Sequence, residues 1–188
     1  FSSYNKIHII GNPPFGRQST HAIKFIKTAC KFCDSISFIL PKSFKKDSLK
    51  KYFPIMFHLV HEEDLPNNSF NVNGVIYDVP CVMQIWVKKD SNRIVPKRPK
   101  PINFKFVKKD SNPDIAFRRV GVYAGKIHTD IETSSSQSHY YIKFSIEINE
   151  DIMNKLKNIA FDCKNNTVGP KSISKPELIK KFNEILAI

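Results

Sequence analysis

The feature that most constrains this chain is a short apolar run that ends in two prolines, Ile7-His8-Ile9-Ile10-Gly11-Asn12-Pro13-Pro14-Phe15, with Gly16 behind it. The apolar residues read as a buried parallel strand over residues 4–10. Two consecutive prolines cannot continue it, because each lacks an N–H and each fixes φ near about −65°. The chain therefore leaves the strand in a stiff turn at its carboxyl end, which is where ligands bind in open α/β sheets. The side-chain carbonyl of Asn12 and the backbone carbonyl of Pro13 are both acceptors. Two acceptors held side by side suit a planar –NH2 group, such as the exocyclic amine of adenine. Phe15 offers an apolar face on which the ring carrying that amine can stack.

The residues that follow indicate an α/β architecture. Ala22, Ile23, Ile26, Ala29, Cys30 and Cys33 recur at helical spacing. They predict an amphipathic helix over 20–33, with Lys24, Lys27 and Lys31 outward and Ser19 or Thr20 as its cap. Ser35 to Pro41 is a second buried strand, completing a strand–helix–strand unit. A lysine-rich helix capped by Ser43 is expected over 43–53, then a strand at 57–61 running into Glu62-Glu63-Asp64. Residues 65–78 form a loop with a turn at Asn73-Gly74. A fourth strand spans 79–87, and 89–101 reads as an extended basic linker. Short strands are expected at 103–107, 115–121 and 138–144, with Tyr123 to Ile127 following the second. Helices close the chain at 150–161 and 176–187, the second with Ser174 as cap, Pro176 in its first turn and Glu177 behind.

No apolar run approaches the roughly 18 residues of a membrane span, and no signal-peptide pattern is present. Four cysteines in 188 residues are too few for a disulfide framework, which suits a reducing compartment, cytoplasmic or nucleoid/nuclear. Cys30 and Cys33 lie on one helical face as core residues, so no metal site is expected. The net charge of +13 implies a polyanionic partner. It is focused: Arg93 to Arg119 holds nine basic residues against Asp110 and Asp114. Arg118, Arg119, Lys126, His139 and Tyr140 mix charge with aromatic faces, which suits backbone contact and base stacking.

Asn12-Pro13-Pro14-Phe15 resembles motif IV of the class I S-adenosylmethionine-dependent amino-methyltransferases, Asp/Asn/Ser-Pro-Pro-Tyr/Phe/Trp, and fills all four of its positions behind Ile9-Ile10. The resemblance covers about residues 5–88. It implies the C-terminal half of a Rossmann-like methyltransferase sheet, with the last two strands paired as an antiparallel edge hairpin. On this reading residues 1–90 are the catalytic half, 91–101 the basic linker and 102–188 a small α+β annex for substrate recognition. The implied reaction is methylation of an exocyclic amine in nucleic acid, adenine N6, in DNA ahead of RNA. The implied cofactor is S-adenosyl-L-methionine. Asn12, Pro13, Pro14 and Phe15 would be catalytic, with Gly11 and Asn12 bordering the cofactor. Phe15 and Phe70 would hold a flipped or unpaired base, and Arg118, Arg119, Lys126, His139 and Tyr140 the surrounding nucleic acid.

The chain departs from the family at motif I, because its six glycines include no Gly-x-Gly pair. The cofactor half is therefore expected either from about 50–100 residues upstream of Phe1, the length of three strands with their helices, or from a partner subunit. The alternatives are an RNA adenine methyltransferase, a protein glutamine N5-methyltransferase, and an inactive nucleic-acid-binding subunit of the same fold.

Overall fold

A computed structural model describes residues 5–187; the expected beginning of the first strand at residue 4 lies outside the described residues. The chain is α/β, with mixed and antiparallel sheets, and divides into two compact units. One comprises residues up to Val95 with Asn166–Val168, the other Pro96–Asn165 with the residues from Gly169 onward.

The first unit is built on a four-stranded mixed sheet. Its strands are β1 (His8–Gly11), β2 (Ser35–Pro41), β3 (Phe57–Asp64) and β6 (Cys81–Lys88), in the order β1-β2-β6-β3. β1 and β2 run parallel, joined through helix α1 (Thr20–Ala29), whereas β6 runs antiparallel to both β2 and β3. α1 buries Ala22, Ile26 and Ala29, as its periodicity predicts. The helix stops short of residue 33. Asp34 turns the chain into β2 by docking on β1: its carboxylate accepts from Ile7 N at 2.8 Å, and its own N–H donates to Ile7 O at 2.8 Å.

β1 is not the buried strand expected from its apolar residues. It is an edge strand, paired with β2 alone among the described residues, and Ile10 is 79% exposed. The core lies instead between α1, β2 and β6, where Ile36, Leu40, Phe44, Phe53, Val82 and Trp86 are buried. Cys30 and Cys33 join this core. Burial pushes the Cys30 thiol up to about 12, with Cys33 adding to the shift.

The expected helix over 43–53 is broken. Lys46 is extended, separating a 3-10 turn at Lys42–Lys45 from the short helix α2 (Asp47–Lys50). β3 in turn runs on through its acidic residues, because lysines from that broken segment neutralise them. Asp64 pairs with Lys42 at 2.9 Å and Lys45 at 2.8 Å, and Glu62 pairs with Lys50 at 2.9 Å. Glu62 also accepts from the buried Gln84 amide at 2.7 Å. Gln84 donates to Phe44 O at 3.1 Å and accepts from Trp86 Nε1 at 3.0 Å, so its polar atoms are satisfied inside the core. Between β3 and β6 the chain forms a hairpin, β4 (Phe70–Val72) and β5 (Val75–Tyr77). Asn73 and Gly74 both take positive φ (53° and 83°) at its turn, as a two-residue Asn-Gly hairpin turn requires.

The second unit is an antiparallel sheet with helices. Its strands β7 (Phe104–Val107), β8 (Ile115–Arg118), β9 (Ile127–His128) and β10 (His139–Phe144) lie in the order β7-β10-β8-β9. β8 ends at Arg118 rather than running to Gly121, because Gly121 (φ 98°) and Gly125 (φ 104°) turn the chain back into a β9 of only two residues. Helices α3 (Glu150–Lys157) and α4 (Lys175–Leu186) complete the unit. A capping box starts α4, with Ser174 N donating to Glu177 Oε2 at 2.7 Å. The helix buries Leu178, Ile179, Phe182 and Leu186 against Phe104, Phe117 and Ile142. No helix among the described residues is long and apolar enough to cross a membrane.

Candidate functional site

The Asn-Pro-Pro-Phe turn is fixed by what lies behind it. Phe15 O accepts from His21 N at 3.1 Å and Ala22 N at 3.4 Å, tying the turn to the first residues of α1. Gly16, Gln18 and Ser19 all have positive φ (68°, 52° and 61°). Such a concentration of sparsely populated backbone is held only where the surroundings determine it, and it clusters at functional sites. Gly16 is obligatory here for a second reason. A Cβ at this position would stand 2.7 Å from Cγ of the His21 ring. Ser19 occupies the cap position of α1 but makes no capping hydrogen bond, since its left-handed backbone aims it elsewhere.

Within the turn the four residues differ. Pro13 is buried and anchors the loop, Phe15 is half-buried, and Asn12 and Pro14 are exposed. The Asn12 amide has no hydrogen-bond partner among the described residues. The turn thus presents one free amide beside a rigid proline and a half-buried aromatic side chain. Gly11 sits against Phe38, whose ring would lie 3.8 Å from an added Cβ. Phe70 lies in the β4–β5 hairpin, half-buried and paired with Tyr77 across it. No ring contact joins Phe70 to Phe15 among the described residues.

The residues expected to hold nucleic acid part company in the second unit. Arg119, His139 and Tyr140 line one cavity of about 800 Å³, together with Phe106, Lys109 and Lys175. Arg118 and Lys126 do not line it. Arg118 donates from Nε to Val120 O at 2.9 Å, steadying the turn after β8, and Lys126 Nζ stands 4.7 Å over the Tyr123 ring. In the cavity the Arg119 guanidinium lies 5.5 Å from the Tyr140 ring centre, while its Nη2 donates to Gln137 O at 2.6 Å. Lys175 Nζ lies 4.5 Å from the Phe106 ring and 5.6 Å from the Tyr140 ring, and those two rings meet edge to face at 5.6 Å.

His139 is buried, shares its Nδ1 with Ser135 O at 3.1 Å, and meets the His128 ring at 5.5 Å. Burial, helped by Arg118 and His128, lowers its pKa against the raising effect of Ser135. It is therefore a neutral wall at physiological pH and not a cation. Sequence reasoning missed Lys175 and Phe106 as lining residues. Their only signal is the β7–β10 pairing and the capping box of α4, neither of which marks a cavity before the fold is known.

Arg93 is a further correction. It belongs to the basic run by sequence, yet its guanidinium is engaged inside the first unit. It donates to Phe57 O at 3.0 Å, Lys50 O at 3.2 Å, Phe53 O at 2.8 Å and also Pro54 O, with its Cζ 5.4 Å from the Trp86 ring. Among the described residues no group of three or more His, Cys, Asp or Glu could hold a metal ion. Family models, curated proteins and solved structures yield no match to this chain.

Proposed function

We propose that this chain supplies the acceptor side of an S-adenosylmethionine-dependent methyltransferase acting on an exocyclic amine of nucleic acid, adenine N6 in DNA. The observation that carries the reading is the Asn12 amide, exposed and without a hydrogen-bond partner among the described residues, at the carboxyl end of β1 beside the buried Pro13. Further support comes from the parallel β1–α1–β2 unit and the antiparallel β3–β6 pair at the far edge, which agree with the sheet that the Asn-Pro-Pro-Phe resemblance implies. Asn12 Oδ1 and the Pro13 carbonyl would accept the two N–H groups of the amine, directing its lone pair away from them. Phe15 would stack the base. A duplex base must leave the stack to reach such a turn.

The described residues do not fit the methyl donor. None of the glycines makes a Gly-x-Gly turn, and Asp34, the carboxylate nearest the start of β2 in sequence, is engaged by Ile7 N. The donor side belongs to residues other than these, in a segment or a partner subunit. The same observation favours a second reading, a nucleic-acid-binding subunit of methyltransferase fold without catalysis.

The test is methyl incorporation from labelled S-adenosylmethionine into adenine-containing oligonucleotides by the full protein, with nucleic-acid binding measured alongside. Asn12→Ala is expected to lower incorporation about a hundredfold or more, the usual loss for one positioned polar group, with binding changed less than about twofold. Wild-type protein that binds oligonucleotides but never methylates them supports the binding-only reading. Incorporation into a glutamine peptide alone, or full turnover by the alanine variant, refutes the assignment.

A further inference from the structure

We infer that the cavity in the second unit is a binding site for one nucleotide of an unpaired strand, with its phosphate on Arg119 and Lys175 and its base against Phe106 and Tyr140. The inference shares with the proposed function only the premise of a nucleic-acid partner. It uses neither the Asn-Pro-Pro-Phe turn nor any methyl transfer.

Arg119 and Lys175 have no ion-pair partner among the described residues, although carboxylates engage lysines at Lys42, Lys45, Lys50, Lys143, Lys155 and Lys181. The two cavity cations are held instead by aromatic faces, Lys175 by Phe106 and Tyr140, Arg119 by Tyr140. A cation positioned by a ring is ordered before a ligand arrives, yet its charge is not neutralised; apart from the Arg119 Nη2 bond to Gln137 O, the N–H donors of the pair stay available. Around them Lys108 and Lys109 are balanced by Asp110 and Glu132, so the excess positive charge of the cavity is that of Arg119 and Lys175 themselves.

The ligand chemistry follows from that pairing. A bare anion would be served by the cations alone and would leave the apolar wall of Phe106, Val107 and Tyr140 unused. An apolar ligand would leave two unneutralised charges. A phosphate on a sugar that also carries a flat, weakly polar base uses both halves, and stacking on aromatic side chains is how single strands are gripped without regard to sequence. A volume of about 800 Å³ falls within the range of small-ligand sites and is ample for one nucleotide. A base inside a duplex presents no face to such a cavity, so the strand must be unpaired at this point.

The experiment is fluorescence anisotropy of a labelled single-stranded oligonucleotide on the full protein, with the matching duplex and an unlabelled mononucleotide as competitors. Lys175 is exposed at the first turn of α4, so Lys175→Ala and Lys175→Glu leave the core intact. Lys155→Ala is the surface control. Single-strand affinity should fall about fivefold to tenfold for Lys175→Ala and further for Lys175→Glu. Arg119→Lys, which keeps the charge but not the planar fork, should lose as much as Lys175→Ala. The control should change it less than twofold. Competition by the mononucleotide supports a site that also accepts the free ligand, and competition by the single strand alone supports a site completed by neighbouring phosphates. Equal affinity for duplex and single strand, or Lys175 variants no weaker than the control, overturns the inference. Asn12→Ala keeps the two proposals apart, because single-strand binding that survives in that variant stands whether or not methylation is found.

Discussion

Replacing Arg93 by alanine tests the claim that a residue from the basic run is structural. The guanidinium satisfies four carbonyls, those of Lys50, Phe53, Pro54 and Phe57, in the stretch that ends α2 and opens β3. Lys50 O and Pro54 O also accept from Phe53 N and Phe57 N, so the guanidinium is a second donor to those two while its planar fork reaches several acceptors at once. A hydrogen bond to a charged group contributes about 1.5–3 kcal/mol. Arg93 is only half-buried, and one guanidinium shared over four acceptors cannot give four times that amount. Counting the equivalent of two bonds at the low end of that range, as half-burial requires, gives about 3 kcal/mol, and its contact with the Trp86 ring adds about 0.5–1 kcal/mol. A total near 4 kcal/mol is a large part of the roughly 5–15 kcal/mol that holds a domain folded.

The assay is built into the sequence. Trp86 is the single tryptophan, and it is buried in the first unit, stacked on Phe53 at 4.0 Å. Its fluorescence during urea unfolding therefore reports that unit alone. With a slope of about 2 kcal/mol/M, Arg93→Ala should lower the midpoint by about 2 M. Arg93→Lys, a point charge that cannot span the four acceptors, should lose roughly half as much. A shift below about 0.5 M for alanine would refute the structural role and return Arg93 to the surface charge.

Two further predictions concern backbone and pH. Gly16→Ala meets both a positive φ and the His21 ring, and should cost about 1–3 kcal/mol in the same urea assay. Adding His21→Ala should recover the steric part only, and full recovery would show that the backbone at Gly16 is unstrained. Burial holds the pKa of His139 below its ordinary 6.5, so the folded state binds fewer protons than the unfolded state. Its contribution is present above pH 6.5 and is lost as pH falls through the lowered value. Thermal melts from pH 7.5 to pH 5 should show this loss, His139→Gln should flatten it, and an unchanged slope in that variant would refute the assignment.

Local chemistry made much of the fold legible in the sequence. The helical spacing from Ala22 to Ala29, the Asn73-Gly74 turn and the Ser174/Glu177 capping box each act over a few residues, and each appears where its pattern stands. What the sequence hid depends on partners far apart in the chain. Nothing near Asp64 announces Lys42 and Lys45, so the pattern alone predicts a strand at 57–61 that stops before the acids. Nothing near Arg93 announces carbonyls some forty residues earlier. The exposure of Ile10 was hidden for the converse reason: an apolar strand reads as interior whichever strands flank it. At the candidate sites, the exposed Asn12 and half-buried Phe15 lie on the motif itself, whereas the cavity needed β7, β10 and α4 to bring Arg119, Tyr140 and Lys175 together.

The exposed edge of β1 bears on how copies of this protein behave beside one another. Among the described residues nothing pairs the outer edge of β1; a strand with an open ladder and an exposed isoleucine is a template for another strand, and the repulsion between molecules of net charge +13 opposes that approach. That repulsion reaches about 10 Å at 0.1 M salt but about 3 Å at 1 M, which is less than the roughly 4.8 Å between paired strands. Salt then acts in opposite directions on two kinds of association. It strips a polyanion from the lysines and arginines while it lets uncovered edges approach. For this chain the ionic strength that would weaken its hold on any polyanion is also the one that lets its β1 edges approach.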